Sequence, residues 1–323
     1  MNKKRKVALI TGISGQDGSY LAEFLLAKGY EVHGLVRSFQ PENSGNVPLN
    51  LIHLRENSRL VLHYGDVTDN QMLSKYVREI LPDEIYHLAA QSSTPRSFEN
   101  VWGTFRANTE STLSLLSIIK EVRPDARFYF AASSELFGDA VESPQNEKTP
   151  FNPSSPYGIS KIAGYYLTKL YREKHLLFAC SGICFSHESP RRADIFVTEK
   201  ITSTVARIKY GLASELRLGN LETKRDWGFS GDFVEAIWAM LQQDQPDDYV
   251  IGTEENHSIK EFVERAFTYA GLDWEKYVVT DPALFRPAEA NPWLADISKA
   301  KRVLGWKPKT SFADLIAMMM DWD

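Results

Sequence analysis

The 323-residue chain holds only two cysteines, Cys180 and Cys184, too few to staple a protein of this size with disulfides. Both lie in the apolar run Phe178-Ala-Cys-Ser-Gly-Ile-Cys-Phe185. They read as small buried hydrophobes rather than metal or redox groups, and no metal site is read elsewhere. Long apolar runs are also missing, and nothing approaches the roughly 18 residues of a membrane span. The basic opening Met1-Asn-Lys-Lys-Arg-Lys6 imitates the start of a secretion signal, but its apolar continuation, Val7–Ile10, is too short. Nor is there a surplus of positive charge. Against 42 acidic side chains stand 37 basic ones, a net charge of −5, so nothing would neutralise a nucleic-acid backbone. What remains is a globular chain with a cytoplasmic address and neither membrane nor nucleic acid as partner. Its length suits about two domains at ~150 residues each.

Short β-rich runs alternate with helical patterns through the first half. Val7–Thr11, Glu31–Val36, Arg59–His63, Glu84–His87, Arg127–Ala131 and Phe178–Ile183 read as strands. Helices are predicted near 17–28, 69–80, 101–123 and 156–174, and Ser38–Asn57 reads as a loop. Near-continuous apolar strands separated by helices imply a parallel sheet covered on both faces. After residue 185 the rhythm breaks, with an amphipathic stretch from Phe196 to Ile208 and helices at Ser258–Gly271 and Phe312–Met320. The fold class expected is α/β, a Rossmann-type doubly wound parallel sheet with a smaller, partly interleaved α/β substrate-binding domain. Residues 1–185 and about 225–255 would form the dinucleotide half; about 186–224 and 256–323 would form the other.

Strand Val7–Thr11 runs into Gly12-Ile-Ser-Gly15-Gln-Asp-Gly18 and then a helix. Glycines in that setting permit a tight turn and let backbone N–H groups approach a pyrophosphate at the helix N-terminus. The second strand ends in Arg37 with no acid at its tip. A guanidinium there suits the 2′-phosphate of NADP rather than the free ribose of NAD; the alternative is an exposed ion-pairing arginine.

Ser155-Pro-Tyr157-Gly-Ile-Ser-Lys161 opens a helix, with Ser155 as N-cap and Pro156 at the first helical position. Tyr157 and Lys161, four apart, share a face. The neighbouring ammonium is expected to lower the phenol pKa towards acid/base work, and the lysine could also hold the nicotinamide ribose. Strand Arg127–Ala131 leads into Ala132-Ser133-Ser134-Glu135, at the sheet edge where parallel sheets place ligands. Ser133 can hydrogen-bond a reacting alcohol, and Glu135 can move a second proton unless it merely caps a turn.

Together with His87-Leu-Ala-Ala-Gln-Ser92, His187-Glu-Ser-Pro-Arg-Arg192, Gly219-Asn-Leu-Glu-Thr-Lys-Arg-Asp-Trp-Gly228 and Arg286-Pro-Ala-Glu289, these segments resemble the extended short-chain dehydrogenase/reductase family. Within it, the chain is similar to the GDP-sugar 4,6-dehydratases over nearly its whole length. The resemblance implies Ser133, Glu135, Tyr157 and Lys161 as catalytic residues. It places Gly12, Gly15, Gln16, Asp17, Gly18, Arg37, Asp66 and Leu88 in an NADP site, the cofactor staying bound and being regenerated in each turnover. It assigns Val197, Lys200, Arg225, Arg286 and Glu289 to a GDP-linked sugar, with Ser186 at a substrate-contacting position. The two arginines would meet the diphosphate, Glu289 the ribose hydroxyls and Lys200 a guanine carbonyl.

Three departures bear on the sugar and the assembly. Ser133 stands where the family has threonine, Ser186 where it has asparagine, and the Arg37-Ser38 loop lacks the family's double arginine. The implied reaction converts GDP-mannose, or a related GDP-hexose or GDP-heptose, to its 4-keto-6-deoxy product. A GDP-sugar C4 oxidoreductase and a catalytically silent nucleotide-sugar sensor are the alternatives. A homodimer or homotetramer is implied, paired through helices 101–123 and 156–174.

Overall fold

The computed structural model describes residues 5–37, 47–285 and 292–323. The chain opens as β1 (Val7–Thr11), α1 (Gln16–Ala27), β2 (Glu31–Val36) and β3 (Leu60–Tyr64). After α2 (Asn70–Ile80) and β4 (Glu84–His87) come two short helices, α3 (Thr94–Glu99) and α4 (Val101–Phe105). A π turn at Arg106–Glu110 joins α4 to α5 (Ser111–Val122), followed by β5 (Arg127–Ser133), α6 (Pro156–His175) and β6 (Ala179–Cys184). The second half holds β7 (Ser186–Glu188), α7 (Val197–Lys209), β8 (Leu216–Leu218), β9 (Lys224–Arg225), β10 (Trp227–Phe229) and α8 (Ser230–Met240). It closes with β11 (Asp248–Ile251), β12 (His257–Ser258), α9 (Ile259–Ala270), β13 (Val278–Thr280) and α10 (Phe312–Trp322).

Seven of these strands form one parallel sheet in the order β11-β6-β5-β4-β1-β2-β3. Every residue of β4 and β6 is buried, as expected of strands covered on both faces. Helices α1 and α8 pack together, and α5 packs against both α2 and α6. The strand order reverses between β1 and β4, which opens a crevice beyond their C-terminal ends. The doubly wound α/β architecture expected from the alternating pattern is the one observed.

The differences have local causes. Strand β5 runs two residues past Ala131, so Ser133 sits on the strand itself. The stretch read as a loop before β3 carries a 3-10 turn at Leu49–Leu54 that buries Leu51. Strand β11 has no counterpart in the sequence reading, where its Asp-Tyr-Val-Ile run follows the turn-like Asp-Gln-Pro-Asp247.

The described residues form two apolar cores. The larger surrounds the sheet with Ile10, Leu35, Phe128, Phe130 and Val250. The smaller joins Ile201 and Val205 of α7 to Trp227, Phe262, Phe267, Phe312 and Met319. Trp293 and Trp306 pack with the larger core. Their indole N–H groups donate to carbonyls on the sheet side, Trp293 to Gly138 at 3.0 Å and Trp306 to Asp232 at 2.9 Å.

Candidate active site

The glycine loop closes tightly at the switch point. Gly12 has φ +73°, and a Cβ there would stand 2.8 Å from the Ala89 backbone nitrogen. A Cβ at Gly18 would lie 2.3 Å from the Gly12 carbonyl oxygen, so helix and loop meet only because neither residue has a side chain. Gly15 is the N-cap of α1, with no side chain covering the first amides. This cradle of bare backbone fits a dinucleotide pyrophosphate. Arg37, at the tip of β2, and Asp66, which accepts from Thr68 N and Oγ1 at 2.8 Å each, line the same cleft with Leu88.

Gln16 and Asp17 do more than begin a helix. Gln16 Nε2 donates to the His187 carbonyl at 3.0 Å, and Ser189 Oγ donates to Gln16 Oε1 at 2.8 Å. His187 Nε2–H donates to Asp17 Oδ2 at 2.8 Å and Nδ1–H to the Phe185 carbonyl at 2.6 Å. Two acceptors for one ring require the doubly protonated imidazolium. It stacks on Phe233 at 4.7 Å. Burial alone would raise the Asp17 carboxyl, but the His187 charge, hydrogen bonds from His187 and Ser230, and Arg192 hold it well below the usual carboxylate range. Burial opposes the His187 charge, yet Asp17 raises its pKa. The glycine loop is thereby clasped to the segment after β6.

This clasp has a pH signature. The Asp17 contribution is present above its ordinary value of 3.8 and is lost as pH falls through its lowered folded value. The His187 contribution is present below its ordinary 6.5 and is lost as pH rises through its raised value. Replacing His187 by glutamine should cost about 3 kcal/mol. In thermal melts across pH the penalty should be greatest between 3.8 and 6.5 and shrink on both sides. A penalty independent of pH would contradict the ion pair.

The four residues expected to be catalytic meet at the end of β5 and the start of α6. Ser155 Oγ accepts the Gly158 N–H at 3.0 Å and caps α6, with Pro156 in its first turn. Tyr157 and Lys161 follow on one face, 8% and 3% exposed. Ser133 pulls the pKa of the Tyr157 phenol down, and its hydroxyl accepts the Glu135 N–H at 3.3 Å.

The pKa of Tyr157 departs from the sequence expectation. Burial pushes the phenol well above its ordinary value, Ser133 and Arg192 pull it down, and Glu135 and Asp17 push it up. Lys161 does not set it. Its ammonium donates to the Ala131 carbonyl at 2.7 Å, lies 5.9 Å from the Tyr157 ring centroid, and is itself lowered by burial to about 8. Spacing placed the two on one face but could not reveal how dry that face is.

One cleft of about 1360 Å³ is lined by the glycine loop, by Ser133, Glu135, Tyr157 and Lys161, and by Ser186, Val197, Lys200 and Arg225. That exceeds the roughly 300–1,000 Å³ of an ordinary ligand pocket and suits two nucleotide ligands end to end. Lys200 Nζ donates to the Arg217 carbonyl at 2.6 Å. The Arg225 guanidinium lies over the Trp293 ring at 4.7 Å. Arg286 and Glu289 lie outside the described residues. Thr94, Arg192 and Trp293 also line the cleft and are absent from the sequence reading as site residues. Only Arg192 carried a signal, within His187–Arg192. Cys184 also faces the cleft, but burial raises its thiol to about 12.

A family model described as GDP-mannose 4,6 dehydratase matches residues 9–319. The chain belongs to the GDP-mannose 4,6-dehydratase family. It is 51% identical to GDP-mannose 4,6 dehydratase 2 of Arabidopsis thaliana, over 99% of this chain and 87% of that enzyme. It is 45% identical to the Homo sapiens GDP-mannose 4,6 dehydratase, over 100% of this chain and 92% of the human one. Among solved structures, the dTDP-glucose 4,6-dehydratase DesIV from Streptomyces venezuelae, with NAD and TYD bound, superposes with a TM-score of 0.84. That match is 26% identical and covers 98% of this chain and 96% of DesIV. The enzyme class read from the sequence, a nucleotide-sugar 4,6-dehydratase of the extended short-chain dehydrogenase/reductase fold, is that of the GDP-mannose 4,6-dehydratase family. No helix among the described residues is long and apolar enough to cross a membrane.

Proposed function

We propose that the chain removes water from GDP-mannose, or a GDP-hexose or GDP-heptose of the same C4–C6 pattern, with Ser133, Glu135, Tyr157 and Lys161 as its catalytic residues. The observation carrying this reading is the meeting of a Ser–Tyr–Lys set with a carboxylate in one cleft, where a simple oxidoreductase needs only the first three. Bound in the cradle of Gly12, Gly15 and Gly18, the dinucleotide supplies a reversible hydride acceptor for C4 and donor for C6. Tyr157 takes the C4 hydroxyl proton while Ser133 holds that oxygen, and Lys161 holds the nicotinamide ribose. A ketone at C4 acidifies C5–H, and Glu135 takes that proton. Of the two protons so collected, one leaves with the C6 hydroxyl as water and the other returns to C5. The depth of the cleft protects the reactive enone from solvent.

The cofactor in this reading is NADP, because Arg37 stands where an NAD site would carry an acid. Arg37→Ala should raise the NADP dissociation constant by roughly tenfold and leave that for NAD unchanged; equal losses would contradict the choice. Gln16, Asp17, Gly18, Asp66 and Leu88 complete that site. Ser186, Val197, Lys200 and Arg225, with Arg286 and Glu289, would take the GDP-sugar. The larger apolar core would carry the dinucleotide and the smaller one would cover the sugar nucleotide. Two copies would pair through α4, α5 and α6, whose surfaces expose Trp102 (81%), Tyr166 (55%) and Leu170 (45%); sedimentation at monomer mass would rule this out. Reduced, buried cysteines fit a cytoplasmic address, which cell fractionation checks. Mass spectrometry of incubations with GDP-mannose should show loss of one water without net change in nicotinamide absorbance. Stoichiometric consumption of the cofactor, or no turnover, would overturn the dehydratase reading.

A further inference from the structure

The carboxylate on which elimination depends is held by a residue outside every motif that pointed to the site. Thr94, the first residue of α3, donates from Oγ1 to Glu135 Oε1 at 3.3 Å and lines the cleft. Its place is fixed by successive clamps. Ser93 donates its N–H to Gln91 Oε1 at 2.7 Å, and Gln91 Nε2 donates to the Ser93 carbonyl at 3.0 Å. Asn108 holds Gln91 in the same two-point manner, accepting its N–H at 2.8 Å and donating to its carbonyl at 3.1 Å. The same Asn108 amide donates to Ser160 Oγ at 2.9 Å. Ser160 lies on α6 between Tyr157 and Lys161, and its hydroxyl donates to the Tyr157 carbonyl at 2.7 Å.

Asn108 is 1% exposed and sits in the π turn that interrupts the α4–α5 helix. Single π turns inside α-helices are frequent at functional sites. Here the Asn108 amide ties α6, which carries the C4 acid/base, to the segment that touches the C5 base. A two-point amide clamp leaves a backbone segment little freedom, so the Thr94 hydroxyl is delivered to Glu135 at a constant position.

We propose that Thr94 is the positioning residue for elimination, fixing the Glu135 carboxylate against C5–H through the Ser160–Asn108–Gln91–Ser93 chain of clamps. The inference rests on the dehydratase reading above. In the step it serves, the C5–H bond breaks with its proton going to Glu135 and its electron pair into the enolate of the C4 ketone. Thr94 exchanges no proton with the sugar; it orients the group that does.

The test compares holoenzyme carrying Thr94→Val, which keeps shape and loses the hydroxyl, with Thr94→Ser, which keeps the hydroxyl. With GDP-mannose, the valine variant should lose roughly tenfold to a hundredfold in kcat at unchanged KM. Reduced nicotinamide should accumulate during its turnover, and the kinetic isotope effect from deuterium at C5 should rise. The serine variant should recover most of the rate and the wild-type isotope effect. A valine variant with wild-type kcat and isotope effect would overturn the proposal. So would one whose C4 oxidation slows in step with elimination, because the loss would then be general. A wild-type enzyme that forms no dehydrated sugar overturns the dehydratase reading itself, an outcome the two variants cannot mimic.

Discussion

Tyr157→Phe should lower kcat for GDP-mannose dehydration by roughly three orders of magnitude, with affinity for the sugar nucleotide almost unchanged. The phenol is nearly enclosed, 8% exposed, and burial, the largest influence on it, keeps it neutral. Ser133 and the nearby Arg192 charge pull it the other way, towards the phenolate. Removing the oxygen leaves nothing within the Ser133–Tyr157 pair to accept the C4 proton, because a serine hydroxyl is far too weak a base alone. The nucleotide end of the sugar substrate meets Lys200 and Arg225 in the proposed arrangement, so binding should survive. Steady-state kinetics with equilibrium dialysis of GDP-mannose separates the two effects. Retention of more than about a tenth of wild-type kcat would remove Tyr157 from the acid/base role, whose loss should cost at least a hundredfold.

Glu135→Gln should stop the reaction at a different point. The amide has the carboxylate's size but cannot take the C5 proton, so dehydrated product should fall by roughly a thousandfold. Oxidation at C4 depends on Tyr157 and should continue, leaving reduced nicotinamide on the enzyme after a single turnover. Rapid-mixing absorbance detects that build-up directly. If oxidation and elimination were lost equally, Glu135 would be a structural support for Ser133, whose hydroxyl accepts its N–H at 3.3 Å. If neither changed, the proton would be taken by another group. Together the two substitutions divide the cycle into a part owned by α6 and a part owned by the turn after β5.

Much of this arrangement is legible in the sequence, because the informative signals are local. An apolar run between helical patterns marks each long strand, and β1 with its glycines is one continuous stretch of chain. Ser155, Tyr157 and Lys161 lie within seven residues, so helical spacing alone brings the last two together. What escaped depends on contacts between distant segments. Thr94 reaches Glu135 across 41 positions and Asn108 reaches Ser160 across 52. The π turn that aims Asn108 leaves no periodic trace in a helix otherwise legible from 101 to 123. Helix α3 carries a proline and is only six residues long, too short to show a period. The phenol's environment is not legible in the sequence, because a four-residue spacing reports direction, not dryness. Trp293 and Trp306 follow the second half in sequence yet pack with the first core, since their indole donors find partners there.

Hydride borrowed from C4 and returned to C6 distinguishes a 4,6-dehydratase from every simpler enzyme on this fold. GDP-mannose carrying deuterium at C4, turned over by the purified protein in ordinary water, tests that transfer in one measurement. The label should be found on the C6 methyl of the 4-keto product, and on that carbon alone. Deuterium released to solvent, or left on free reduced cofactor, would contradict the mechanism.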